Sequence, residues 1–328
     1  MEAVTESITK NRQSARTLRA MVERAYGSGQ VPQDDGFAEE ITHGWFNVAY
    51  RIRLRDGRQV VLKIAPPSDV AVLTRERAMM RTELAAMALV RERTTVPVPR
   101  VDHADLTGEL VTADYFFMEH VDADNFGIAV EEGRLPTEVV TAGGRQLGAL
   151  NRELNSITGP HFGPLVGTGS ATWREAFTLL MEDTLADGRR AGVDIGRDYD
   201  EIRAVLAENA SALDEVGEPR FIEVDLWTKN SMIRDGRIVS VLDHERAMWG
   251  DPLMEAGFTG IDLPAFGDPA DFVSGYGLGE LSPSQRKRRR LYSLHLAVVM
   301  IVETVFRGHP DPTTYDFART QLDLLMAR

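Results

Sequence analysis

Asp225-Leu226-Trp227-Thr228-Lys229-Asn230, then Val241-Leu242-Asp243-His244-Glu245 and Trp249-Gly250-Asp251-Pro252, form the stretch on which the reading of this chain turns. Between the first two pieces lie Ser231 to Ile233, Asp235-Gly236 and Arg237 to Leu242, which have the composition of two short strands joined by a two-residue turn. Opposed residues are equidistant from such a turn, so Asn230 is expected to face Val241. Asp243, two residues on, then shares its face as a diagonal neighbour. Diagonal neighbours stand about 7–8 Å apart at the backbone, near enough for two oxygen-bearing side chains to converge on one Mg2+ at about 2.0–2.1 Å. Asp225 must loop back toward the same place as a third oxygen group. Taken singly, an Asp or Asn beside a turn is better explained by local hydrogen bonding to backbone; the three together make a hard-cation site.

Upstream, residues 41 to 65 change to a period of two. Tyr50, Ile52 and Leu54 alternate with Arg51, Arg53 and Arg55 ahead of Asp56-Gly57, and Val60 to Ile64 follow, which predicts a hairpin. Pro66-Pro67 stops the second strand, and residues 74 to 93 carry Met80, Leu84 and Met87 at helical spacing. Only four lysines occur, at 10, 63, 229 and 287, and Lys63 alone lies inside an apolar strand. Its stem can snorkel to water, or its ammonium can meet an anion. The predicted helix offers Glu83, about 60° round from Met80. Glu76 faces similarly but stands about 10 Å away along the helix axis, so one of the two reaches Lys63.

Pro97-Val98-Pro99 closes this part, and Tyr115 to Met118 is an apolar strand that runs into the polar stretch Glu119 to Asn125. The lobe boundary is set there, with residues 1–119 as an N-terminal lobe and 120–328 as a C-terminal one. Residues 8 to 25 read as a peripheral helix. Residues 136 to 154, 172 to 190, 198 to 214 and 284 to 306 read as helices of the second lobe, one of them opened by the capping-box pattern Thr172-x-x-Glu175. The fold class is α+β: a small β-rich lobe followed by a larger, mainly helical one.

Charge and composition narrow the function. Lys and Arg number 37 against 50 Asp and Glu, a net charge of −13, which argues against a nucleic-acid partner. There is no cysteine, hence no disulfide, thiolate nucleophile or cysteine-bound zinc. The start lacks a leader pattern, and Leu296 to Val302 is too short to span a bilayer, so a cytoplasmic chain without a membrane partner is expected. The histidines show no metal-ligand spacing and there is no GxSxG elbow. Gly167-Thr168-Gly169-Ser170 follows no strand and reads as a turn, and Arg286 to Arg290 as a solvated helix face. Nothing in the sequence speaks to oligomeric state.

The ordered set of motifs resembles the aminoglycoside phosphotransferase and choline-kinase-like family, whose fold is two-lobed and protein-kinase-like. Besides the stretch quoted first, the resemblance rests on Gly44-Trp45-Phe46-Asn47 as a nucleotide-covering loop and on Val61-Leu62-Lys63. It also rests on Thr82-Glu83 ahead of Val96-Pro97-Val98-Pro99-Arg100, which selects Glu83 over Glu76, and on Phe117-Met118-Glu119-His120-Val121 as the hinge. It spans residues 37 to 260. It implies an ATP- and Mg2+-dependent phosphotransferase acting on a hydroxyl of a small molecule, with GTP left open as the nucleotide. By the same resemblance, Asp225 is the catalytic base, and Asn230 and Asp243 bind Mg2+. Lys63 contacts the phosphates with Glu83 holding it, Gly44, Phe46 and Asn47 cover the nucleotide, and backbone groups at Glu119 and Val121 meet the adenine. Glu245 is either an additional metal contact or an exposed neighbour. Two positions depart from the pattern: the residue two before Asp225, usually His in this family, is Glu223, and a family His in the first helix of the second lobe is replaced by Asn151. Glu223 motivates the alternative, a catalytically impaired, pseudokinase-like nucleotide-binding protein. The acceptor is open among aminoglycoside-like antibiotics, amino alcohols and sugars. Asp122, Asp124, Glu182, Asp183, Asp187, Asp198, Asp200 and Glu201 either line a pocket for a cationic acceptor or form a solvated helical surface, and the surface is the commoner explanation.

Overall fold

The computed structural model of the protein describes residues 7–42, 44–309 and 311–327. Residues 1–6, on which the expectation about a leader falls, and His43, just ahead of the Gly44–Asn47 loop, lie outside the described residues. The chain divides into two compact units: residues 1–73, 99–122 and 304–312 form one, and 74–98, 123–303 and 313–328 the other. Residues 74–98, expected in the first lobe, cluster with the second unit because Ala86, Val90, Val96 and Val98 are buried in its core.

The first unit is a helix on an antiparallel sheet. Helix α1 (Ala15–Tyr26) opens at Ser14, whose side chain accepts from the Thr17 amide, so the helix starts well after residue 8. Strands β1 (Ala38–Ile41), β2 (Val48–Arg53), β3 (Gln59–Ile64), β4 (Val101–Asp105) and β5 (Tyr115–Glu119) lie in the order β1-β2-β3-β5-β4. Alternation puts Val48, Tyr50, Ile52, Val60, Leu62, Ile64, Tyr115 and Phe117 on one face, against Leu18, Met21 and Val22 of α1. Burying each such aliphatic side chain contributes about 1.5–3 kcal/mol. The β2–β3 connection is wider than a two-residue turn: Gly57 takes φ 87° and its N–H donates to the Leu54 carbonyl at 3.0 Å.

The second unit is mainly helical. A single-turn stretch (Thr74–Ala78) leads into α2 (Met79–Arg93). Then come β6 (Asp124–Asn125), α3 (Phe126–Glu131), α4 (Thr137–Leu154), β7 (Gly163–Pro164), α5 (Trp173–Arg190) and α6 (Tyr199–Asn209). Strands β8 (Arg220–Ile222), β9 (Ser231–Arg234), β10 (Arg237–Val241) and β11 (Met248–Gly250) follow, and then α7 (Ala270–Tyr276), α8 (Pro283–Arg307), of which residues 304–307 count with the first unit, and α9 (Thr313–Met326). The expected capping box forms: Thr172 accepts from the Glu175 amide while the Glu175 carboxylate reaches back. Phe126, Leu147, Phe221, Trp249, Phe258 and Phe272 centre the core. Among the described residues no helix is long and apolar enough to cross a membrane.

Two expectations need correction. Arg288 and Arg289 are not a solvated face: Arg288 donates to Asp251 at 2.8 Å and Arg289 to Asp262 at 3.1 Å, all four groups buried. α8 is enclosed at 288–289, so these two cations are neutralised rather than hydrated. The second hairpin has its two-residue turn, with Asp235 at φ 51° and Gly236 at 73°. A bulge between Ile238 and Ser240 then shifts the register, pairing Ser231 with Val241. Asn230 therefore lies across from Leu242, whose N–H donates to its carbonyl at 2.9 Å, and not from Val241.

Candidate active site

The antiparallel pairing of β8 with β11 ends at Ile222 opposite Met248. Residues 223–225 leave β8 at the end of the ladder where residues 243–247 arrive, so the pairing places the segments that carry Asp225 and Asp243 at one end of it. The two segments turn sharply: Val224 has φ 65° and Asp243 φ 66°, the left-handed region that side chains other than Gly rarely occupy. Glu255, fully buried, holds the first turn. Its Oε1 accepts from the Glu223 amide at 3.0 Å and from Asn155 Nδ2 at 2.8 Å, and its Oε2 accepts from the Val224 amide at 2.9 Å. Burial raises this carboxyl to about 7, with Asn155, Asn151 and the Glu223 amide pulling it down.

Asn230 closes the loop from the other side, its Nδ2 donating to the Asp225 carbonyl at 2.9 Å. That leaves its Oδ1 as the oxygen with ligand chemistry. Asn125 supports the same turn through a 2.6 Å hydrogen bond to the Lys229 carbonyl.

Around Asp225 the charges alternate. Arg246 Nε stands 3.8 Å from Asp225 Oδ2, and Arg246 Nη2 lies 3.3 Å from Glu303. The Asp225 side chain is 37% exposed, yet desolvation raises its carboxyl to about 6; Arg246 lowers it while Asp243 and Glu303 raise it further. A carboxyl near 6 is ionised at neutral pH and still basic enough to take a proton, which suits a general base. On α2, Glu83 lies on the buried stripe with Met79, Met80, Ala86, Met87 and Val90. Its carboxylate, with those of Asp243 and Glu245, forms a trio whose oxygens lie within 4.8 Å of one another. Three hard anionic donors so close fit Mg2+.

Glu223, the departure from the expected His, is buried and paired with His244: Nδ1 lies 2.8 Å from Oε1. Burial disfavours charge on the ring, but Glu223 outweighs it and the pKa of His244 is raised.

The remaining expected residues belong to the first unit. Lys63 is buried in β3 between Ala49 and Phe116, on the sheet face away from α1. The Gly44–Asn47 loop is braced from below: Thr9 Oγ1 donates to the Phe46 carbonyl at 2.7 Å, Lys10 Nζ donates to the Asn47 carbonyl at 2.7 Å, and Arg307 lies over the Phe46 ring. Glu119 ends β5, exposed, its N–H donating to the Arg100 carbonyl, and Val121 is half-buried just beyond.

Several acids considered for a cationic pocket are already engaged. Glu182 accepts from Arg203, Asp200 from Arg203 and Arg189, and Asp187 from Thr74 and Arg190, while Asp198 caps α6. Sequence reasoning missed Arg246, Glu255 and Glu303. Arg246 directly follows Glu245 and could have been found by extending the motif, whereas a lone Glu at 255 or 303 carries no signal of its partners.

A small antiparallel sheet unit and a larger helical unit with a carboxylate-bearing loop define the protein-kinase-like class of fold. The model of the phosphotransferase enzyme family, named for the aminoglycoside phosphotransferases, matches residues 38–292, and the chain belongs to that family. Membership implies phosphotransferase chemistry. Among solved structures it is similar to aminoglycoside phosphotransferase APH(4)-Ia in a ternary complex with AMP-PNP and hygromycin B. The two share 17% identity at TM-score 0.66, over 95% of this chain and 98% of the other. It is also similar to the gentamicin complex of APH(2")-IIa, at 12% identity and TM-score 0.65, over 96% and 98% of the two chains. A protein assigned as a fructosamine-3-kinase from Thermobifida fusca shares 20% identity at TM-score 0.63, over 95% and 99%. A subtelomeric hrmA-associated cluster protein of Aspergillus fumigatus is 25% identical over 144 residues, 44% of this chain and 27% of that protein's length. The matched segment is thus about a quarter of that curated relative.

Proposed function

We propose that the protein transfers the γ-phosphoryl group of ATP to a hydroxyl of a small molecule, in the cytoplasm and with Mg2+. The observation that carries this reading is the family match over residues 38–292, supported by Asp225, a carboxylate partly open to water with Arg246 at 3.8 Å. Asp225 orients the acceptor hydroxyl and takes its proton as the hydroxyl oxygen bonds to the γ-phosphorus; the bond from that phosphorus to the bridging oxygen breaks and ADP leaves. Asn230 through Oδ1 and Asp243 would hold Mg2+, with Glu245 supplying a further oxygen. When bound, the cation neutralises charge on the phosphate oxygens. Lys63 would contact the phosphates with Glu83 as its counter-charge, Gly44, Phe46 and Asn47 would cover them, and backbone groups at Glu119 and Val121 would meet the base. The division into lobes at 119/120 belongs to the same reading.

Relatives bound to aminoglycosides support a hydroxylated acceptor, an amino sugar or amino alcohol among the candidates. The arginine pairing of Glu182 and Asp200 favours the surface explanation for those two acids over a polycation pocket, while Asp187 is buried and held by Thr74 and Arg190. The impaired alternative draws on Glu223; the buried Glu223–His244 pair gives that position a partner and weighs against it. The test is ATP/Mg2+ turnover on a panel of hydroxylated amines and sugars, with Asp225→Ala as control. Turnover that the substitution abolishes supports the reading; nucleotide binding with no turnover on the whole panel overturns it.

A further inference from the structure

The segments that carry Asp225 and Asp243 are joined by side chains where their ladder stops. Beyond the Ile222–Met248 pair the strands separate, and each segment must hold an unfavourable backbone turn, at Val224 and at Asp243. A β-branched residue at positive φ persists only where its surroundings impose it. Glu223 directly precedes Val224 and His244 directly follows Asp243. Their side chains meet at 2.8 Å and are 3% and 0% exposed, so no water competes for the contact. The second ring nitrogen, Nε2, faces the Val241 carbonyl at 3.3 Å, which ties the same ring back to the end of β10. Glu223 is fixed in turn by its own amide, held by Glu255. One buried contact thus spans the two turns, with a brace behind each partner.

We propose that Glu223 and His244 form a reciprocal positioning couple, which sets Asp225 and Asp243 relative to one another for phosphoryl transfer. The inference rests on the phosphotransferase reading. The residue found where the family usually has His is answered by a His one position after Asp243, so the departure is compensated in space. Neither side chain takes a proton from the acceptor. Both act through the carboxylates beside them, and the two substitutions are expected to be energetically coupled.

The experiment uses the full chain and Mg-ATP as the probe, comparing Glu223→Gln, His244→Gln, the double Gln variant, and the reciprocal exchange Glu223→His with His244→Glu. Hydrolysis of Mg-ATP to ADP and phosphate is followed with Mg-ATP affinity, and amide hydrogen exchange is measured without nucleotide. Each single Gln variant is expected to lose about 10- to 100-fold in turnover, with Mg-ATP affinity changed less than about threefold. The double variant should be hardly worse than either single one, and the reciprocal exchange should recover most of the loss. Exchange should quicken at 223–226 and 243–246 together, whichever partner is replaced, while β2 and β3 keep their protection. Wild-type turnover in the single variants, multiplicative losses in the double variant, or quickened exchange confined to the substituted segment would each overturn the couple. A wild-type protein that binds Mg-ATP but turns over neither water nor any acceptor overturns the phosphotransferase reading instead. The exchange data still decide whether the two segments are coupled.

Discussion

Replacing Glu255 by glutamine is expected to change the pH dependence of stability and to lower turnover, and the two effects have separable causes. The carboxylate accepts three hydrogen bonds, two at Oε1 and one at Oε2. Glutamine keeps one carbonyl oxygen, so whichever way its amide is turned an NH2 group faces a backbone N–H. At least one hydrogen bond is lost, worth about 0.5–1.5 kcal/mol against the protonated carboxyl that prevails below about pH 7. Val224, at φ 65°, loses the contact that fixes it, and Asp225 is the next residue. A catalytic group displaced by about 1 Å can cost 10²-fold, which sets the scale of the expected fall in kcat.

The charge works in the opposite direction. Burial raises the Glu255 carboxyl from 4.5 to about 7 with its hydrogen bonds already counted. At 1.36 kcal/mol for each tenfold in proton affinity, that rise corresponds to about 3 kcal/mol. The folded protein holds this proton more tightly than the unfolded chain. The contribution is therefore fully present below pH 4.5 and is lost as pH climbs through about 7. Glutamine does not titrate, so stability of the variant relative to wild type should improve by about 3 kcal/mol between those limits. Urea unfolding at about pH 5 and pH 8, with turnover on the same preparations, reads both effects. Parallel stability curves would refute the buried charge; unchanged kcat would refute the clamp.

In wild-type protein kcat/KM should rise with pH to a plateau, with a midpoint near the 6 of Asp225, because the base must be ionised to accept a proton. Arg246→Gln removes the cation that lowers this carboxyl and should move the midpoint upward; an unmoved midpoint would detach the limb from Asp225. Asp251→Asn leaves Arg288, 2.8 Å away, and Tyr292, 2.7 Å away, facing an amide in the core. Denaturant unfolding should show a loss of about 3–5 kcal/mol, and no loss would mean that the pair is not buried in solution. At Gly148 an added Cβ would stand 2.1 Å from the Phe272 carbonyl and 2.6 Å from the Tyr276 amide. Gly148→Ala should therefore cost at least about 1–3 kcal/mol by forcing α4 from α7, and a wild-type unfolding midpoint would show that the helices slide apart freely. Chelation should stop turnover and added Mg2+ restore it; turnover that persists would remove the cation from the reaction.

The sheet of the first unit is legible where one face is buried and the other is not. Tyr50, Ile52, Val60, Leu62 and Ile64 face α1, and that alternation survives in the sequence because any slip would turn every one of them to the other face. The edge strands are not legible. β4 is mostly half-buried and exposed along its length, so it has no two-sided pattern to read, and β1 is similar. α1 starts at Ala15 because Ser14 caps it, although the composition of residues 8 to 14 looks equally polar. α7 covers only seven residues and includes Gly275, too short a run for helical spacing to stand out.

In the site, Asp225, Asn230 and Asp243 are legible as a linear motif, but their register is not. The bulge after Ile238 is a property of the ladder, and no residue type marks it, so counting outward from Asp235-Gly236 fails by one. Partners distant in sequence are less legible still: Glu255 lies thirty residues from Asp225 and is as anonymous as any carboxylate. The same limit explains why Glu223 reads as a defect when judged alone. A buried acid without a partner costs several kcal/mol, which would be reason enough to doubt the loop. With His244 at 2.8 Å that cost is largely offset, and the position becomes half of a contact whose other half lies 21 residues away. Activity in a chain of this family is therefore better judged from the identities at 223 and 244 together than from either position. A chain with an acid at the first and no cation at the second is the one in which the loop should fail.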